Sequence, residues 1–180
     1  YNIGQKISML VFTYMTALQN VFSPQVYKKM FSQGENDRKD IGVYLTPFIY
    51  LSIAAGVGIS LFSEEVIALL TPSNIHGATE VVIILSMFYG IMFFGKQPQL
   101  IYVKKTHLSS VLSFISIFLN VGLNIPFIMQ WGINGAAWAT FLAGLLTVSI
   151  SFVISQHYYK IDWEYRKVGA IYLLFLIFHY

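Results

Sequence analysis

The sequence has no cysteine. That excludes a disulfide framework and a thiolate metal site. Charge is scarce: Asp, Glu, Lys and Arg make up 11% of the residues, against about a quarter in soluble domains. Water is therefore not the main solvent of this chain. Strand-like alternation is missing, and long apolar runs without it argue for helices. No Asp or Glu lies well inside an apolar run; Glu64 and Glu80 stand at the edges. A proton relay or cation site built on a buried carboxylate is not offered by these residues. There is no phosphate loop, no HExxH, no GxSxG elbow. His76, His107, His157 and His179 fall in connections or at run ends, without metal-ligand spacing. No metal, no cofactor and no enzymatic activity are expected. The basic residues form no patch with aromatics, so no nucleic acid is expected either.

What is present is apolar length: 56% of the residues are hydrophobic and 17% aromatic. A bilayer core takes about 20 apolar residues per helix. Five stretches reach or approach that length: residues 3–22, 41–62, 79–95, 108–129 and 135–154. A sixth, 168–180, breaks off at the end of the sequence. The fold expected is all-α, a polytopic transmembrane helix bundle of about five complete spans plus a truncated sixth. The chain begins and ends within apolar runs, so it reads as an excerpt of a longer protein, and no signal peptide is readable.

The connections set an orientation. Lys28, Lys29, Arg38 and Lys39 follow the first run; Lys96, Lys104 and Lys105 follow the third; Lys160, Arg166 and Lys167 follow the fifth. The stretch after the second holds Glu64, Glu65 and His76 but no Lys or Arg, and the turn Gln130–Asn134 has no charge. This is the positive-inside pattern. It predicts cytoplasmic connections at 24–40, 96–107 and 157–167, and a first helix running from outside to inside. Trp131 falls at an outer turn, while Tyr158, Tyr159, Trp163 and Tyr165 fall at an inner boundary, where amphipathic rings settle. Trp163 and its neighbours also suit packing on a short connector. Val26–Phe31 mixes apolar and basic residues, as a helical continuation along the membrane surface would.

The remaining basic residue, Lys6, sits in the outer part of the first run. Two readings stand. A long stem can snorkel to the interface, or the ammonium faces a water-filled cavity and meets an anion. Tyr1 and Gln5 are close to it in sequence. Asn120 and Asn124 share one helix face, with interhelical hydrogen bonding the expected role. Gly135, Ala139 and Ala143 recur every four residues, as do Ala136, Thr140 and Gly144, and both rows read as close-packing surfaces. Pro126 is a candidate bend. Gly95 and Pro98, with Gln97 and Gln99, interrupt the third run as a helix end or as a hinge.

Three passages carry a resemblance. LNVGLNIPFIMQWGINGAAWAT, at 119–140, resembles a signature of Wzx-type polysaccharide and O-antigen flippases. YNIGQKI resembles the start of an earlier helix there, with Gly4 where Ala is usual. LFSEEVIALLTPSNIHGATEVVIIL resembles the passage between two spans, with Thr71-Pro72 and His76-Gly77 where Gly and an aromatic are common. These families belong to the multidrug/oligosaccharidyl-lipid/polysaccharide exporter superfamily (MATE-like). The resemblance implies two six-helix bundles around a central cavity, this chain forming most of the second. It implies alternating-access transfer of a polyprenyl-diphosphate-linked oligosaccharide, an O-antigen, capsule or exopolysaccharide unit, from the inner to the outer leaflet. Membrane lipids and biosynthesis proteins such as a glycan polymerase would be partners, in a bacterial-type inner membrane. Lys6 matches a basic position directed at the lumen, where an ammonium would hold the diphosphate. The alternatives are a multidrug antiporter, a peptidoglycan-precursor flippase, or a membrane-embedded glycosyltransferase or ligase.

Overall fold

The computed structural model describes residues 2–33, 38–70, 78–92, 98–167 and 169–170. Among these there are helices and no strands. In chain order they are α1 Asn2–Gln33, α2 Arg38–Leu61, α3 Ser63–Leu70, α4 Ala78–Ile91, α5 Gln99–Tyr102 and α6 Thr106–Tyr158.

Unbroken, the 53 residues of α6 would be about 80 Å long. They are not one rod. Gly132 has φ 56 and ψ −128, a backbone conformation that only glycine adopts without strain. There the chain reverses, and Gly135 returns directly against the backbone of Phe127. α6 is therefore a hairpin of two arms, 106–131 and 133–158, each about 39 Å long at the helical rise. Pro126, the candidate bend, lies inside the first arm, and the non-helical backbone within α6 is at Gly132. The positive φ of Gly132 turns the chain.

Two of the described helices are long and apolar enough to cross a membrane: Asp40–Leu61 and the Thr106–Tyr158 hairpin. α1 has the length, but residues such as Gln5, Lys6, Gln19 and Asn20 dilute it. α4 is apolar but has 14 residues. The expected sixth stretch, 168–180, lies outside the described residues except for 169–170.

α1, α2 and α4 pack on one another, and the second arm of α6 packs on α4. From α1 come Val11, Met15, Phe22, Val26 and Met30; from α2 come Ile41, Leu45, Ile49 and Ile53, an unbroken row at every fourth residue. Val26 and Met30 are fully buried. The continuation expected along the membrane surface is thus part of the bundle, and α1 reaches Gln33. α2 and α4 cross closely at Gly56 and Gly90, and a side chain at Gly56 would press on the Ser86 carbonyl. The stretch expected as outer loop holds α3, with Glu64 and Glu65 in its first turn, the favourable end for negative charge. Its Ile67 is buried with Ile7 and Val82.

One connector locks the end of the bundle that carries the basic residues. Tyr159, Ile161 and Trp163 are buried against α1 and α2. The Gln156 side chain accepts from the Ile161 N–H at 2.8 Å and donates to its carbonyl at 3.1 Å. Asp162 lies so close to Gly42 that a Cβ there would overlap its carbonyl. Gly42→Ala should therefore lower stability by about 1–3 kcal/mol, the usual cost of overpacking. Gly58→Ala, with open space around the new methyl, should leave the thermal midpoint of the purified protein unchanged or slightly raised.

Candidate functional site

A polar recess opens between α1, α5 and both arms of α6, near the basic end of the bundle. Its volume is about 620 Å³. α1 contributes Gln19, Asn20, Ser23 and Tyr27; the first arm contributes Ser109, Ser113 and Ser116; the second contributes Thr147 and Ser151. Pro98, Leu100 and Ile101 of α5 and its approach form another wall, joined by Leu112 and Ile117. The polar residues recur at three- and four-residue spacing, so each helix turns one polar stripe inward. Pro24 has no N–H to give the Asn20 carbonyl one turn back, which leaves that oxygen to other partners.

The chemistry of this lining is hydrogen bonding. The described lining residues are amides, hydroxyls and a phenol, with apolar fill. The Tyr27 phenol adds an O–H that can donate or accept. Several hydroxyls are anchored to their own helix. Ser113 donates to the Ser109 carbonyl at 3.0 Å and Thr147 to the Ala143 carbonyl at 2.8 Å. Such oxygens keep lone pairs for a ligand. The wall beside them is pinned: Gln99 of α5, fully buried, donates to the Tyr159 carbonyl at 3.3 Å, and Tyr102 stands edge-on to Tyr159 at 5.1 Å. Among the described residues no three His, Asp or Glu side chains converge to hold a metal.

The residues singled out in the sequence fall elsewhere. Lys6 is exposed on α1, about 20 Å from Gln19 at the helical rise, toward the opposite end of the bundle. Gln5 beside it is half-buried. Tyr1 and Gly95 lie outside the described residues. Asn124 donates to both the side-chain and the backbone oxygen of Asn120 at 2.8 Å, so these bonds stay within one helix rather than crossing to another. Gly135, Ala139 and Ala143 are buried along one face of the second arm, and Thr140 donates to the Ala136 carbonyl at 2.9 Å. A side chain at Gly144 would collide with the Phe88 ring of α4. Pro98 begins the short α5 as its N-cap residue.

Sequence reasoning missed the recess. Gln19, Asn20 and Ser23 stood at the expected end of the first span, where polar residues are ordinary. The signal was there as hydroxyls and amides at helical spacing in three separate apolar helices.

The chain is similar to a protein of Haloferax volcanii named as a probable low-salt glycan biosynthesis flippase, Agl15. The two are 27% identical over 179 residues, covering 94% of this chain and 36% of the relative. The chain thus spans about a third of that relative's length. No family model and no solved structure matches it.

Proposed function

We propose that this chain is part of an integral membrane transporter that carries a lipid-linked glycan between leaflets. The observation that carries the reading is the similarity, along 94% of the chain, to a protein named as a glycan biosynthesis flippase. The recess supports it. A glycan presents many hydroxyls, and an array of amide and hydroxyl side chains among apolar helices supplies their partners.

The finer picture follows the sequence. The basic connections lie on the cytoplasmic side, and the recess is near that end of the bundle. The described helices form part of a bundle of about six spans, one of two in the full transporter. The cargo is a polyprenyl-diphosphate-linked oligosaccharide, of which O-antigen, capsule and exopolysaccharide units are examples. Alternating access moves it outward, and a glycan polymerase receives it. The relative's name favours a glycan over a drug as cargo.

Lys6 holds the diphosphate in this reading. Lys6→Ala in the full-length protein should cut glycan export about tenfold, which corresponds to about 1.4 kcal/mol of lost interaction, and Lys6→Glu should cut it further. Lys6→Arg should retain most of it. Export at the normal rate from Lys6→Ala, with normal protein level in the membrane, would remove Lys6 from the mechanism.

A further inference from the structure

At the end of the hairpin opposite the recess, Phe127, Trp131, Asn134 and Trp138 line a cleft of about 510 Å³. The reversal at Gly132 and the close return at Gly135 create it, by bringing an indole from each arm to one space. Anchoring at headgroup level explains a single exposed Trp. It does not explain a concave wall of three rings with an amide set among them.

Each indole is braced. Trp131 stands edge-on to Phe127, centroids 5.0 Å apart, and Trp138 to Phe141, 5.7 Å apart. Both nevertheless keep wide exposure, 57% and 43%. The Asn134 amide donates to the Glu80 carboxylate, which fixes the amide and leaves its carbonyl oxygen free to accept.

A pyranose ring has an apolar C–H face and a rim of hydroxyls. Fixed aromatic faces suit the first, and an amide beside a carboxylate suits the second. A lipid acyl chain has no use for the polar pair, and Glu80 repels an anionic headgroup or a diphosphate. We propose that this cleft docks an uncharged sugar ring of the glycan on the side where the cargo leaves. The proposal rests on the transport reading for its ligand and for that side.

The test uses the full-length protein in nanodiscs of zwitterionic lipid. One probe is a polyprenyl diphosphate bearing a neutral disaccharide; the other is the same lipid without sugar. Trp131→Ala and Trp138→Ala should each weaken binding of the sugar-bearing probe about tenfold. Binding of the sugar-free probe should not change, and Trp131→Phe should restore most of the loss. Where an alanine variant unfolds, Asn134→Leu should weaken the sugar-bearing probe alone. Equal loss for both probes, or no loss for either, overturns the cleft while leaving transport standing. An unaltered protein that binds neither probe overturns the transport reading and the cleft together.

Discussion

Gly135→Val should bring down the hairpin and with it the protein. The Cβ of any side chain at 135 would land on the carbonyl of Phe127. That neighbour is backbone in the other arm and has no rotamer to escape into. The two arms would have to separate at the turn, and the buried row Gly135, Ala139 and Ala143 would lose register. Overpacking typically costs about 1–3 kcal/mol, occasionally more, and a clash with fixed backbone belongs at the upper end. Gly144 gives the informative contrast. A methyl there meets only the Phe88 ring, a side chain able to swing aside, so Gly144→Ala should cost less. Gly122, in the first arm, has open space around it. Gly122→Ala should be neutral or slightly stabilising, by about 0.5–1 kcal/mol, because alanine loses less entropy in a helix. Thermal unfolding of the purified full-length variants orders them: 135 far below 144, and 122 at or above the unaltered protein. A Gly135→Val protein as stable as the original would mean that the arms do not meet there.

The hairpin was legible because several signals agreed. Two apolar runs flank an uncharged turn containing Gly132, and small residues recur every fourth position behind it. Patterning, turn chemistry and packing pointed the same way. The Asn120–Asn124 pair was legible only as a face. Spacing says that two amides are neighbours, and it does not say that they satisfy each other before reaching another helix. α3 was hidden because Glu64 and Glu65 look like loop residues, although the first turn of a helix is where acids are favoured. The recess was the hardest to see. In apolar helices a hydroxyl bonds its own chain one turn back, as Thr13, Thr16, Thr46, Ser113 and Thr147 all do, and each alone reads as self-satisfied. Only the three-dimensional arrangement brings stripes from α1 and the two arms of α6 to one space. Lys6 was conspicuous for the opposite reason: one charge in an apolar run needs no neighbour to be noticed. Sequence reading thus finds the costly residue easily and the inexpensive cluster poorly.

Under the transport function proposed above, filling the recess should stop transport without harming the fold. Ser116 is half-buried on its lining, between Ser113 and Leu112 on one side and the second arm on the other. A phenyl ring at 116 would project into a space of about 620 Å³ and occupy much of what a sugar ring needs. Ser116→Phe should therefore reduce glycan export at least about tenfold, equivalent to about 1.4 kcal/mol or more of lost interaction with the cargo. Ser116→Ala removes one hydroxyl among many and should cost only a few-fold, in line with about 0.5–1.5 kcal/mol for a single hydrogen bond. Ser110→Phe is the control. It introduces the same ring into the same arm, at an exposed position that does not line the recess, and export should continue. Protein level in the membrane should match for all three, because the ring at 116 enters existing space rather than packed core. The two ends of the molecule can then be separated. Lys6→Ala should weaken a sugar-free diphosphate lipid as much as a sugar-bearing one, whereas Ser116→Phe should weaken only the latter. Normal export from Ser116→Phe would show that the glycan never enters the recess, and would leave the hydroxyl stripes of α1 and α6 as helix-packing groups alone.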